Sequence, residues 1–393
     1  MFKEKKNDTI SFEILKILFI LMIFEVPYFF VYLMIPIILF CYCIWKAKFL
    51  VPLSSSELFL AVFIISFYFI DTTLGTSIRL KILMVLGYIL MYSSGRICGI
   101  YEKEKYLEKL IEFIAICYLS LVVISVLYSA FVGGFLISRN PINIWNGQSR
   151  PATHYGTMLV FPLAYGIYRV IAFTNAKIKG VALIVIVFIL TLILGSRTVL
   201  YFIPLGLIMG LFYELFIGDG IRKKQIYIFI SIPIIALFLL LAWHFNLFNI
   251  QEIIFKTALG KRFITGEAPS FKEDGRYNVI KYFFENYSKS IWGGAYIRRH
   301  MYNLHNVYLN IFDLSGIIPF VAFIAFNICV IKDLVFFNKY SKSISTKLCI
   351  DIFFSMFFLQ MQFEPIMESV PIAMLNVTFL SGYIRSYRRE IGK

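Results

Sequence analysis

The chain has 393 residues, of which 60% are hydrophobic, 18% aromatic and 16% charged, with a formal net charge of +15. Soluble domains hold about 45–50% apolar and about 25% charged residues, so the composition argues against a single soluble domain; without a Pro/Gly-rich tract or a Cys-dense segment, it also excludes disorder, collagen-like repeats and a disulfide framework. At about 20 residues per crossing, twelve membrane helices would use about 240 residues, close to the apolar share, so the expected class is all-α, a polytopic integral membrane protein.

In chain order, apolar runs place spans at residues 12–25, 28–45, 57–75, 80–97, 110–132, 154–173, 179–194, 198–217, 226–245, 307–331, 348–363 and 369–384. Residues 12–45 are too long for one crossing, and Glu25 with Pro27 supplies a polar break, so two helices are expected there. Lys3, Lys5 and Lys6 precede the first run, but no small-x-small cleavage site follows, and the run reads as an uncleaved first span. Alternate connections carry 23 Lys and Arg, against 5 on the short connections between them. The positive-inside rule then places both termini in the cytoplasm and residues 246–304 outside, as one large loop on a single polytopic domain spanning 1–393. Charge spread over seven connections orients helices and leans on anionic lipid; it does not form the single basic face that nucleic acid requires.

The loop carries nine Lys and Arg, including Arg262, Arg276 and Arg298, against five acids. A positive mouth of this kind gathers an anionic substrate. Within it Val279, Ile280, Phe283, Phe284 and Tyr287 share one helical face, expected to lie at the outer membrane interface. Several costly polar residues fall on the same side. Arg197 sits in the turn Gly195-Ser196-Arg197-Thr198, and Arg150 and His154 open the sixth span. His305 stands where the loop re-enters the membrane, and Glu364 and Glu368 lie between the last two spans. Histidine side chains in general titrate near neutrality, which suits proton transfer. The four His show no zinc-type spacing, no Asp-x-Asp occurs, and no phosphate loop with a following Lys is present, so neither a metal nor another cofactor is expected.

These residues carry a resemblance. Gly195-Ser196-Arg197-Thr198, Arg150-Pro151 with His154, Gly275-Arg276, His305-Asn306-x-Tyr308-Leu309 with Gly316-Ile317-Ile318, and Phe363-Glu364-Pro365 occur in an order that resembles the O-antigen polymerase and O-antigen ligase superfamily. The likeness covers roughly residues 145–370, and it departs from the family where Leu314 stands two residues before Gly316, with Asp313 one step out of register. It implies glycosyl transfer from an undecaprenyl-pyrophosphate-linked oligosaccharide on the outer face of the cytoplasmic (inner) membrane. Arg197 and Arg276 are then expected to grip the leaving pyrophosphate, His305 to act as general base and Glu364 to compete for that role. Arg150, His154, Arg262, Arg298, Asn306 and Tyr308 complete the expected substrate contacts. A repeat-unit polymerase for O-antigen, capsule or exopolysaccharide is the leading expectation; a ligase and a lipid-linked oligosaccharide flippase are the alternatives. Membrane lipid is an expected partner, and the resemblance leaves room for a flippase and a chain-length regulator.

Overall fold

A computed structural model describes residues 10–26, 31–48, 52–71, 78–101, 104–133, 140–145, 147, 149–172, 177–217, 246, 249–257, 260, 275–301 and 304–391. These form sixteen α-helices and no strand: α1 Phe12–Ile23, α2 Val31–Ala47, α3 Ser55–Ile70, α4 Ile78–Tyr101, α5 Glu104–Gly133, α6 Ala152–Ile171, α7 Lys177–Leu194, α8 Arg197–Ile217, α9 Ile250–Lys256, α10 Gly275–Asn286, α11 Tyr296–His300, α12 Val307–Ser315, α13 Ile317–Tyr340, α14 Ile344–Met361, α15 Ile366–Ser369 and α16 Pro371–Ile391. Among the described residues, six helices are long and apolar enough to cross a membrane (α4, α5, α7, α8, α13 and α14), and α2 and α3 are shorter apolar helices. The protein is therefore all-α and built for a membrane.

Eleven of the twelve expected segments hold helix; the ninth, 226–245, lies outside the described residues. The break after α1 falls at Glu25, whose φ of 57° ends the helix in a left-handed turn. The expected single span 307–331 is corrected: Gly316, with φ 87°, separates α12 from α13. Glycine tolerates that conformation at no steric cost, which lets the chain change direction inside an apolar run.

The chain divides into two compact units, Met1–Phe113 with Phe271–Lys342 and Gln360–Lys393, and Ile114–Ser270 with Ser343–Leu359. In the first unit α4 and α16 approach backbone to backbone. A Cβ at Gly95 would lie 1.9 Å from the Phe379 carbonyl oxygen, one at Gly99 2.5 Å from that of Tyr383, and one at Gly382 2.1 Å from that of Tyr92. Where lipid is as apolar as the side chains, close packing through small residues is what holds helices together, and Gly95 and Gly99 have the required four-residue spacing.

Polar groups in this unit gather toward the two ends of the helices. At one end Ser54 caps α3, and its backbone N–H donates to Glu57 (2.7 Å), which also pairs with Arg96 and accepts from Ser93 (3.0 Å). Asp333 of α13 accepts from Arg385 of α16 at 2.6 Å nearby in the sequence of those helices toward their C-termini. Buried charges persist in this way when paired and hydrogen-bonded. At the other end α12 is tied to α3 by the Ser315 hydroxyl, which donates to the Phe67 carbonyl at 3.0 Å.

In the second unit α6 is buried on nearly every face. Phe161 stacks against Tyr118 (4.4 Å), Phe353 (5.3 Å) and Phe357 (6.1 Å), and Gly166 and Gly180 bring α6 and α7 together.

The helix crossing gives a direct test. Gly95→Leu forces a side chain into the Phe379 backbone and is expected to cost well over the 1–3 kcal/mol typical of overpacking. Monodisperse protein should be lost on size-exclusion chromatography in detergent. Gly275→Ala, where a Cβ meets nothing within 4 Å, should leave it intact.

Candidate active site

The site of the first unit is assembled around Asp313, the acid one step out of register with the family motif. Asp313 is fully buried in α12. Its Oδ1 accepts from the Ser290 hydroxyl (2.6 Å) and the Ile297 backbone N–H (2.9 Å), and its Oδ2 accepts from the Arg298 backbone N–H (3.0 Å). The carboxylate thereby caps α11 from a neighbouring helix. Three backbone bonds reinforce the strap: Gly294 N–H to the Leu314 carbonyl (3.1 Å), Ala295 N–H to that of Asp313 (2.8 Å) and Ile317 N–H to that of Ile291 (2.8 Å). Gly293 is required here, since a Cβ would stand 2.7 Å from the Leu314 oxygen.

The expected amphipathic face of α10 is divided. Val279 and Phe283 are buried with Ile297, Leu304 and Phe312, whereas Ile280, Phe284 and Tyr287 are exposed. Residues i and i+4 stack on one row of a helix, and the protein core takes that row. The buried row fixes α10 so that Arg276, in its first turn, reaches Glu364 in the connection between α14 and α15.

Three of the expected site residues converge at Glu364. Its Oε1 lies 3.2 Å from Arg276 Nη2, and its Oε2 lies 3.5 Å from His305 Nδ1. The acid is only 4% exposed, against 33% for each base. A second pair stands four residues further on, where Arg298 of α11 donates to Glu368 of α15 at 2.7 Å. Burial pushes the Glu368 carboxyl up from the usual carboxylate range, outweighing the opposing pull of Arg298.

Other expected residues make contacts within the fold. Asn306 is the N-cap of α12: its Oδ1 accepts from the Leu309 N–H (3.0 Å), while its Nδ2 donates to Gln362 Oε1 (3.1 Å). Tyr308 accepts from Asn327 of α13 (3.3 Å) and packs on Phe323. Arg262 lies outside the described residues. Gln362 was not among the expected site residues, and Glu368 was singled out only as an acid between the last two spans, without a site role.

In the second unit Arg150 Nη1 lies 2.7 Å from His154 Nε2. A guanidinium can only donate, so this ring nitrogen is the acceptor of the contact. Arg197 begins α8 after the turn at Gly195 (φ 69°), and Ser196 of that turn packs on α6 at Gly156, two residues beyond His154.

Compared with models of known protein families and with curated proteins, the chain matches none. Fold and composition define an all-α membrane protein.

Two outcomes follow. Asp313→Ala leaves a buried hydroxyl, a buried N–H and a part-buried N–H without their acceptor, at about 1–3 kcal/mol for each buried group. Limited proteolysis should then cut within residues 290–300, where the parent resists. For Glu368, a folded pKa above the unfolded one means a stability contribution that is complete below the ordinary glutamate value and lost as pH rises through the raised pKa. The melting temperature of the parent minus that of Glu368→Gln should fall as pH rises above the ordinary glutamate range.

Proposed function

We propose that the protein is a membrane glycosyltransferase that polymerises lipid-linked glycan repeat units. It transfers a glycan from a polyprenyl-pyrophosphate donor en bloc onto an incoming lipid-linked unit. The observation that carries this reading is the convergence of Arg276, Glu364 and His305 from three separate segments of an otherwise apolar chain.

The chemistry asks for these groups. The acceptor hydroxyl forms a bond to the anomeric carbon as the bond from that carbon to the pyrophosphate oxygen breaks, and the bonding electrons leave with the pyrophosphate. Negative charge grows on the leaving group, where a guanidinium at a poorly hydrated boundary stabilises it well. Arg276 and Arg298 are assigned that work in the first unit; Arg150 and Arg197 are the guanidinium groups of the second. The acceptor proton passes to His305 through Nε2, since Nδ1 faces Glu364.

The distribution of charge supports an orientation with this site outside the cytoplasmic membrane. The inner connections would hold 23 basic residues, and the end of the first unit that carries the Glu57–Arg96 pair would face the cytoplasm. The exposed row Ile280, Phe284 and Tyr287 would then meet the outer lipid interface, near the polyprenyl tails.

The test is genetic. In a deletion strain complemented with each variant at matched expression, Arg276→Ala, Arg197→Ala and His305→Ala should each abolish or severely shorten the surface-glycan ladder on a gel. Loss of a positioned base alone is worth about 10²–10⁴-fold in rate. A parental ladder in all three variants would sink the reading.

A further inference from the structure

Trp292 is 77% exposed, yet its backbone is held on both sides. The Gly293 N–H donates to the Ser290 carbonyl (2.9 Å) and the Ile317 N–H to the Ile291 carbonyl (2.8 Å). Gly316 closes against the same strap, since a Cβ there would stand 2.8 Å from the Trp292 carbonyl carbon. The strap is thus bonded to the first residue of α13, one of the helices long and apolar enough to cross a membrane. Val321, Ile328 and Val335, seven residues apart, are exposed along one face of α13, the face such a helix turns to lipid. Trp292 is therefore fixed at the height where the span begins, the depth at which Trp and Tyr gather in membrane proteins.

The neighbouring side chains suit the same depth. Ile280, Phe284 and Tyr287, spaced by four and three residues, are exposed, so α10 and the turn after it carry a second apolar row besides the buried Val279 and Phe283. Lys289 is exposed in the stretch between Tyr287 and Trp292. Its ammonium donates to Asn286 Oδ1 (3.0 Å) and to the Tyr296 hydroxyl (3.0 Å), and lies 4.7 Å from the centre of the Tyr296 ring. An ammonium has three protons, which leaves one for a lipid phosphate. Apolar, aromatic and basic groups in one short segment match the boundary where hydrocarbon, phosphate and water meet.

We propose that residues 280–292 dock on the phospholipid headgroup boundary of the membrane, on the side where α13 begins, with Trp292 as the anchor. The occupant is lipid rather than a protein partner because the bond between Ile291 and Ile317 makes this surface continuous with a helix that faces lipid. The docking stands whether or not the chain transfers glycans. Where it does, a reading on which this consequence alone rests, the anchor sets the depth of the site. Arg276 lies in the first turn of α10 and Arg298 in α11, on either side of the docked segment. Both guanidinium groups are then held near headgroup depth, where the pyrophosphate of a lipid-linked donor lies.

The chain has four Trp, so the signal of Trp292 is the fluorescence of the parent minus that of Trp292→Phe, both full-length in phosphatidylcholine nanodiscs. That difference should lose most of its intensity to lipid brominated at the headgroup end of its acyl chains. It should lose less to lipid brominated near the chain ends, and little to aqueous iodide. Trp292→Tyr supplies the same subtraction if the Phe variant does not fold. Strong quenching by iodide with none by brominated lipid sets the segment in water and overturns the proposal. A signal shielded from both puts protein on this face and overturns it as well, as does quenching that is strongest from the chain ends. The two readings fail separately. A lipid-quenched Trp292 in a chain that makes no glycan keeps the anchor and discards glycosyl transfer. A Trp292 in water, with the ladder lost in Arg276→Ala and His305→Ala, does the reverse.

Discussion

The architecture of the first unit's site depends on one buried carboxylate. Asp313 is fully enclosed yet accepts three hydrogen bonds, two of them from backbone N–H groups that begin α11. Burying a charge is costly unless it is fully hydrogen-bonded, and here the bonds that offset the cost also define the geometry. They fix α11, and with it Arg298 against Glu368. They also hold the segment from Ser290 to Ile297 against the end of α12, whose N-terminal flank carries His305. Ala295 accepts a φ of 56° to complete the arrangement, a conformation unfavourable for a residue with a Cβ. That local strain persists because the surrounding bonds over-determine it.

The rest of the unit follows from the same economy of polar groups. A chain with 16% charged residues has few to place, and the low-dielectric interior strengthens each pairing while penalising each omission. Glu57 with Arg96 and Asp333 with Arg385 lock helices together near one end; Arg276, His305, Glu364, Arg298 and Glu368 cluster near the other. Between them glycine sets how closely the helices approach. Gly95, Gly99 and Gly382 set α4 against α16 by letting each backbone reach the other's carbonyls.

Helices were legible in the sequence because an apolar run of about 20 residues has few other solutions. What escaped was the break at Gly316, since a lone glycine in an apolar run reads as part of a span until its φ is known. The glycine crossing had a signal, the four-residue spacing of Gly95 and Gly99, that was present and unused. In the site, residue types were legible and contacts were not. Arg276, His305 and Glu364 stood out as polar groups at apolar boundaries, but Arg276 and Glu364 are 88 positions apart. The placement of Asp313 was not legible for a physical reason: its partners are largely backbone N–H groups, which carry no side-chain signature. Asn306 and Tyr308 were read as substrate contacts from the resemblance, and the structure adds a cap and a helix contact that the motif did not show.

The two Arg–Glu pairs share a plan, and the difference between them is informative. Each takes its guanidinium from the segment 275–301 and its carboxylate from the turn around α15, and in each the acid is the less exposed member. Arg298 and Glu368 meet at full hydrogen-bond contact and anchor that turn. Glu364 stands 3.2 Å from Arg276 on one oxygen and faces His305 with the other. The turn around α15 is thus anchored at its second acid by a close pair, while its first acid is placed between a guanidinium and an imidazole, the two groups to which the proposed reaction gives separate tasks.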